Sequence, residues 1–206
     1  MIAVGGLFTG RDFFSPLKKC SQHEISSFTL PGHDNDYNTI ELCDLIKRQH
    51  LAYGSDRPVL LHSIASALSF FLVDDFEKII LYEPNIDQFS TLIKVMLASE
   101  RAITLYHSQF SQNAEFCCKT INVNIIHKFL NETSQFFGSA EYRNYLRSKK
   151  FKERVILIYG PQFEISESVK VLTNKKIFCN EIEHNSIYSN PSKVRDLITE
   201  TLNDNL

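Results

Sequence analysis

The amino-acid sequence predicts an α/β protein whose mainly parallel sheet carries helices on both faces. Two observations lead to this prediction. Short apolar runs without polar alternation occur at 59–61, 78–82 and 155–159, and such runs are typical of strands covered on both sides. Longer stretches with apolar residues at helical spacing, such as 37–50, lie between them. Strand and helix therefore alternate, which is the order that builds a parallel sheet.

The first third of the chain predicts strand, helix, strand and helix. Residues 1–4 form the first strand, and the loop at 5–10 contains three glycines, which allow close backbone approach. A helix is expected at 12–19. The second strand, 24–30, ends at a Pro-Gly pair, and 37–50 follows as an amphipathic helix.

The middle of the chain repeats this order and then departs from it. The strand at 59–61 leads into an apolar helix at 65–73, and the strand at 78–82 precedes a helix at 89–98. From about 102 to 152 the alternation stops, and the segment is polar, helical in pattern and rich in Phe and Tyr. We expect it to form a small helical cap inserted into a single domain, 1–206.

The last part of the chain returns to alternation. The apolar strand at 155–159 ends at a Gly-Pro pair, and a helix at 166–172 and a strand at 176–182 follow. The final helix is expected at 191–202, because Asn190 can cap it and proline suits the first helical position.

Composition narrows the functional classes. The chain has 206 residues, 43% hydrophobic and 22% charged, with a net charge of −2, which argues against a general nucleic-acid binder. No apolar run is long enough to span a membrane, and the N-terminus lacks a signal-peptide pattern. The five cysteines show no zinc-ligand or redox spacing, so we expect reduced thiols, no metal, no cofactor and a cytoplasmic location.

The segment 58–66 (PVLLHSIAS) predicts a buried strand, a sharp turn and an immediate helix. A serine in such a turn is raised above the sheet, near the first helix amides and the positive end of the helix dipole. Ser63 is therefore a candidate nucleophile. Serine is also a favoured N-cap residue, so a purely capping role is the alternative.

Further chemically useful residues follow predicted strands. They lie at 5–7, 83–87, 160–164 and His184. Ligands of parallel sheets bind at the carboxyl ends of the strands, so these residues and Ser63 should gather at one edge.

Six short segments follow one another along the chain: 5–13 (GGLFTGRDF), 29–34 (TLPGHD), 61–65 (LHSIA), 80–84 (ILYEP), 156–160 (ILIYG) and 183–184 (EH). With these segments in this order the chain resembles the α/β-hydrolase fold, and specifically the small branch that holds MenH-like enzymes and pimeloyl-carrier-protein methyl esterases. Each motif is short, and the shared order carries the resemblance.

The resemblance implies a catalytic triad in the order serine, acid, histidine. Ser63 would be the nucleophile and His184 the base. Glu164 would be the acid, one residue beyond the usual position, with Asp87 as the alternative. The oxyanion-hole amides would belong to two apolar residues, Leu7 and Ile64.

Two departures from the family pattern concern the elbow, where Leu61 and Ala65 replace glycines. Leu61 and the displaced acid support an alternative in which the chain is a catalytically degenerate binding or scaffold protein. A MenH-like lyase that uses the same triad is a further alternative. The first hypothesis is a serine carboxylesterase or thioesterase, in its sharpest form a pimeloyl-carrier-protein methyl ester esterase of biotin synthesis.

A basic cluster lies within the expected cap. Arg143 and Arg147 are four residues apart and share a helix face, and Lys149, Lys150 and Lys152 follow. Such a cluster is either a solvated helix end or a docking surface for an acidic partner. The resemblance implies that the partner would be an acyl carrier protein.

Overall fold

The computed structural model describes residues 1–22, 24–54, 56–85, 90–161 and 173–203. Within these ranges the chain forms one six-stranded sheet surrounded by helices. No helix in the described ranges is long and apolar enough to cross a membrane.

All pairings in the sheet are parallel, and the strand order is β2-β1-β3-β4-β5-β6. The second and third strands lie on opposite sides of the first, so the winding direction of the chain reverses there. Ligands of such sheets bind at this reversal point, beyond the carboxyl ends of the strands. The strands are β1 Ile2–Val4, β2 Ser26–Phe28, β3 Val59–His62, β4 Ile79–Tyr82, β5 Val155–Tyr159 and β6 Lys175–Phe178.

The four central strands are buried on both faces, as their uninterrupted apolar sequences predict. Successive side chains of a strand point to opposite faces, so each strand contributes to two cores. One row in register contains Val4, Leu61, Leu81 and Leu157, all in the same core. The neighbouring row, in the core on the other face, contains Ala3, Leu60, Ile80 and Ile156.

Helices cover both faces, which confirms the predicted fold class. Apolar residues of α1, α9 and α10 complete one core, and those of α2 to α8 complete the other. The helices are α1 Ser15–Cys20, α2 Thr39–Tyr53, α3 Ser69–Leu72, α4 Thr91–Ala98, α5 Glu100–Asn113, α6 Val123–Gly138, α7 Ala140–Leu146, α8 Lys149–Arg154, α9 Ser186–Ser189 and α10 Pro191–Asn203.

Local sequence accounts for several helix boundaries. The N-cap of α2 is Asn38, whose side chain accepts from the amides of Ile40 and Glu41, while the Glu41 carboxylate accepts from the Asn38 amide. In the interval expected to form the cap, α6 ends at Gly138 and the Ser139 hydroxyl caps α7. The role of this interval as a cap stays a prediction.

Three elements differ from expectation. The strand expected at 24–30 is shorter in the structure, where it corresponds to β2. The strand expected at 176–182 is also shorter and corresponds to β6. The helix after Ser63 begins as a 3-10 segment, Ser63–Leu68, because the chain turns sharply out of β3 before α3 forms. The expected helix at 166–172 lies outside the described residues.

Candidate active site

Ser63 lies in a strained turn at the carboxyl end of β3. Its φ is +56°, a left-handed conformation that is uncommon for any residue except glycine. The turn is held because the Asn85 amide donates to the Ser63 carbonyl at 3.1 Å. Leu61 is compatible with this turn because its side chain is fully buried in the core, and the Ala65 side chain is also buried. The turn therefore forms without the two family glycines.

The loop after β1 approaches Ser63 closely. A Cβ atom added to Gly6 would lie 3.0 Å from the Ser63 Cβ and 3.0 Å from Nδ1 of His62. The Thr9 hydroxyl donates to the Gly6 carbonyl at 2.8 Å and holds this backbone in place. A side chain at position 6 would therefore push His62 and Ser63 away by a few tenths of an ångström, so glycine suits this close approach. The loop also contains Leu7, and the oxyanion roles of Leu7 and Ile64 stay predictions.

His184 follows β6, and its loop is fastened to the ends of β3 and β4. Nε2 of His62 donates to the His184 carbonyl at 2.9 Å, and the Tyr82 hydroxyl donates to the Glu183 carbonyl at 3.1 Å. The His184 side chain keeps 38% exposure. The main chain is therefore positioned by buried donors while the imidazole stays accessible to a substrate.

His62 serves this positioning as a neutral side chain. Burial, together with the neighbouring His184, holds its pKa well below the usual value. Its ring stacks on Phe13 with centroids 4.9 Å apart and lies 4.5 Å from the His184 ring. Because Nε2 donates to a carbonyl, the neutral ring carries its proton there.

Among the described residues, Glu83 places a carboxylate close to His184. It is fully buried, with φ of +47°, directly after β4. Its Oε1 accepts a hydrogen bond from the Gly160 amide at the end of β5. Its Oε2 lies 4.0 Å from Nδ1 of His184, and no hydrogen-bond donor of the described chain reaches that oxygen.

Close packing fixes the Glu83 carboxylate in this orientation. A Cβ atom on Gly160 would lie 2.2 Å from the Ile182 carbonyl oxygen and 3.1 Å from Oε1 of Glu83. Only glycine lets the end of β5 approach both Glu83 and the loop before His184 so closely. A buried carboxylate is costly unless it is paired, and an imidazolium at His184 would supply that partner.

The carboxylates expected from the sequence, Glu164 and Asp87, lie outside the described residues, so their roles stay predictions. The sequence pattern puts Glu83 at this edge of the sheet but favours Glu164 as the acid. The local signal at Glu83 is a carboxylate directly after a fully apolar strand and before Pro84, which indicates the sheet edge but not the partner of the carboxylate.

The basic cluster is exposed, but several of its charges have neighbours. Nη1 of Arg143 donates to the Gly138 carbonyl at 2.6 Å. Lys149 pairs with Glu153 at 3.6 Å, and Lys150 pairs with Asp74. Arg147 and Lys152 are exposed as well. A docking role for this cluster stays a prediction.

Comparison with known proteins identifies the fold. The sequence matches no protein-family model and no curated protein sequence. Similar solved structures include an esterase from Thermogutta terrifontis, with a TM-score of 0.66, 11% identity, and coverage of 98% of this chain and 89% of the other. A protein assigned to the α/β-hydrolase family from Desulfitobacterium hafniense has a TM-score of 0.64 and 12% identity, covering 98% and 95%.

A thioesterase domain from the curacin biosynthetic pathway is also similar, with a TM-score of 0.63 and 12% identity, covering 96% of this chain and 90% of the other. Identities this low establish the fold alone. The elbow conformation at Ser63 and the parallel strand order agree with it. The fold of this chain is that of the α/β-hydrolases.

Proposed function

We propose that this protein is a serine hydrolase of carboxylic esters or thioesters. Ser63 is the nucleophile, His184 the general base and Glu83 the acid that orients and stabilises the imidazole. The observation that carries the proposal is the buried Glu83 carboxylate, held by the Gly160 amide and 4.0 Å from Nδ1 of His184. Ser63 lies in an elbow conformation at the end of the neighbouring strand β3. Contacts at this distance tighten when a substrate is bound.

The reaction has two steps, acylation and then deacylation of Ser63. The Ser63 hydroxyl attacks the carbonyl carbon while His184 takes its proton, and the tetrahedral intermediate then expels an alcohol or thiol that receives this proton. Water, deprotonated by His184, next attacks the acyl-enzyme and releases the carboxylic acid and free Ser63. Glu83 stabilises the imidazolium in both steps.

The oxyanion of each intermediate would be bound by the amides of Leu7 and Ile64. The close approach of Gly6 to Ser63 supports this assignment, because it brings the loop that contains Leu7 beside the nucleophile. A preorganised donor of this kind contributes about 3 kcal/mol to transition-state stabilisation. The esterase and the thioesterase domain among the similar structures support an acyl-transfer reaction.

A carrier-protein-bound acyl chain, as in the pimeloyl-ester hypothesis of biotin synthesis, is the finer form of this proposal. It depends on the exposed basic cluster, whose ion pairs with Asp74 and Glu153 reduce the charge available to an acidic partner. The degenerate scaffold and the MenH-like lyase are the alternatives that an experiment must separate from hydrolysis.

Labelling with a fluorophosphonate probe tests the nucleophile. The probe should modify wild-type protein at Ser63, and Ser63→Ala should abolish the modification. Ser15→Ala is the matched control, because Ser15 is equally half-buried but lies on α1. Absence of labelling in folded wild-type protein would leave the degenerate scaffold. Labelling without turnover of p-nitrophenyl esters or acyl thioesters would favour the lyase.

A further inference from the structure

Outside the active site, one group of soft ligands is brought together by the fold. A ring nitrogen of His107 and the Sγ atoms of Cys117 and Cys118 all lie within 4.8 Å of one another. His107 lies on α5, and the two cysteines lie in the turn between α5 and α6. Their spacing along the chain matches no common zinc motif, so the sequence alone predicted ordinary reduced thiols.

The imidazole of His107 is held in a defined orientation. Its Nε2 donates to the Cys118 carbonyl at 3.0 Å, and its ring packs edge-on against Phe8 with centroids 5.5 Å apart. A neutral imidazole that donates through Nε2 keeps a lone pair on Nδ1. A hydrogen bond from one ring nitrogen to a backbone carbonyl is also how metal-binding histidines are oriented.

The backbone that carries the two thiols is fixed against the loop after β1. The Cys118 amide donates to the Phe8 carbonyl at 2.9 Å, and the Gly10 amide donates to the Phe116 carbonyl at 2.8 Å. Thr9 and Cys117 form an antiparallel bridge between these donors. The backbone that carries the two thiols is therefore held in place by these hydrogen bonds.

The spacing suits a small four-coordinate ion. With Zn–S of about 2.3 Å and Zn–N of about 2.0–2.1 Å, tetrahedral angles place ligand atoms about 3.5–3.8 Å apart. The observed upper limit of 4.8 Å requires the side chains to close by about 1 Å, which rotation about χ1 can supply. Oδ1 of the Asp34 carboxylate already accepts from the Lys119 and Thr120 amides, and the cluster itself supplies two sulfurs and one nitrogen.

We propose that His107, Cys117 and Cys118 form a site for Zn²⁺, with water as the fourth ligand. Thiolate and imidazole ligands select thiophilic ions over Mg²⁺ or Ca²⁺. Binding releases the two thiol protons to solvent, so the bound ion and the two thiolates are neutral together. The site is independent of the proposed hydrolase activity, although it is bonded to the loop that contains Leu7.

Titration of the reduced, metal-free full chain with Zn²⁺, in competition with a chromophoric chelator, tests the proposal. Wild-type protein should bind one ion with a Kd below about 1 µM. Cys117→Ser, Cys118→Ser and His107→Gln should each weaken binding at least about tenfold. Cys20→Ser, at a thiol outside the cluster, should bind like wild type. Binding that is absent, or unchanged in all three cluster variants, would overturn the proposal.

A second measurement needs no substitution and therefore avoids variants that fail to fold. Cys117 and Cys20 are both half-buried thiols, so their alkylation rates in native protein can be compared by mass spectrometry. Zn²⁺ should slow alkylation of Cys117 and leave Cys20 unchanged. Equal slowing at both thiols, or none at Cys117, would contradict the site.

Discussion

The buried carboxylate of Glu83 is the charged group that the proposed mechanism uses to stabilise His184. This carboxylate is removed from water, and one oxygen is held by the Gly160 amide while the other faces His184. In the proposed mechanism, a negative charge at this position would favour the imidazolium formed when His184 takes the serine proton. Ser63 and Glu83 both adopt left-handed backbone conformations, one directly after β3 and the other directly after β4.

Glu83→Gln should abolish most of the activity without unfolding the protein. The amide oxygen can still accept from Gly160, but the neutral side chain no longer stabilises charged His184. By analogy with triads that lose their acid, kcat should fall roughly 10³–10⁴-fold with KM little changed. Ester hydrolysis measured beside a thermal melt separates catalysis from stability.

Three further substitutions make this assignment falsifiable. Glu77→Gln, at an exposed carboxylate just before β4, should retain full activity. Glu164→Gln and Asp87→Asn should have far smaller effects than Glu83→Gln if Glu83 is the acid. A large loss of kcat in either of them, with activity retained in Glu83→Gln, would return the acid to the position that the family resemblance implied.

The candidate nucleophile could be found from sequence because its signal is local. A short apolar strand followed at once by Ser63 predicts the turn, and its positive φ agrees. Glu83 could not be chosen as the acid from sequence alone. Its approach to His184 depends on the ends of β4 and β5 packing against the loop that contains Ile182. The close approach of Gly160 to Ile182, which fixes that packing, has no signature in either segment alone.

The spacing of apolar residues predicts the positions of the strands and of most helices, and the exceptions have local causes. The central strands are apolar throughout because both faces are covered, so their positions were predicted closely. The edge strands β2 and β6 are short and only partly buried, so apolar pattern defines their ends poorly. The cluster of the proposed zinc site was not expected from sequence, because His107 lies on α5 and the two cysteines lie in the turn after it.

The basic residues of α7 and α8 give a prediction at this scale. If a carrier-bound acyl chain is the substrate, reversing Arg143 and Arg147 to Glu should raise the apparent KM for that substrate several-fold and more strongly at low salt, because exposed charges are screened over about 8 Å at physiological ionic strength. Hydrolysis of p-nitrophenyl acetate should be almost unchanged. Initial rates with both substrates at two salt concentrations measure the difference.

The matched control reverses Lys18 and Lys19, which are exposed on α1 over the opposite face of the sheet. This variant carries the same change in net charge but should not alter the KM for the carrier-bound substrate. An equal loss in both double variants would indicate a general charge effect. No loss in either would make the basic cluster a solvated helix end.

The strand order places the candidate catalytic residues at one edge of the sheet, and the two hydrophobic cores stabilise the fold. The chain winds outward from β1 in both directions, so the loops after β1 and β3 meet at the reversal point. Burial on both faces also encloses histidines. His33, His50 and His62 are buried, and burial is the leading reason that the pKa of each lies below its usual value.

These buried histidines predict loss of stability in mild acid. The pKa of His33 is lowered to about 4 from an unfolded value near 6.5, so the unfolded chain binds the proton first as the pH falls. The stabilisation is therefore complete above about pH 6.5 and is lost progressively toward pH 4. At 1.36 kcal/mol per pH unit, His33 alone accounts for about 3 kcal/mol of this loss.

His33→Asn isolates that contribution, because it removes the titrating group while leaving the carboxylates of the chain unchanged. The ring of His33 donates to the Pro31 carbonyl through Nδ1 at 2.9 Å, and an asparagine amide nitrogen, which occupies the position of Nδ1, can donate in its place. Urea unfolding at pH 7, 5.5 and 4.5 should show a shallower decline for the variant than for wild type, even where its stability at pH 7 is lower. Parallel declines in the two proteins would show that His33 is protonated equally in the folded and unfolded chains.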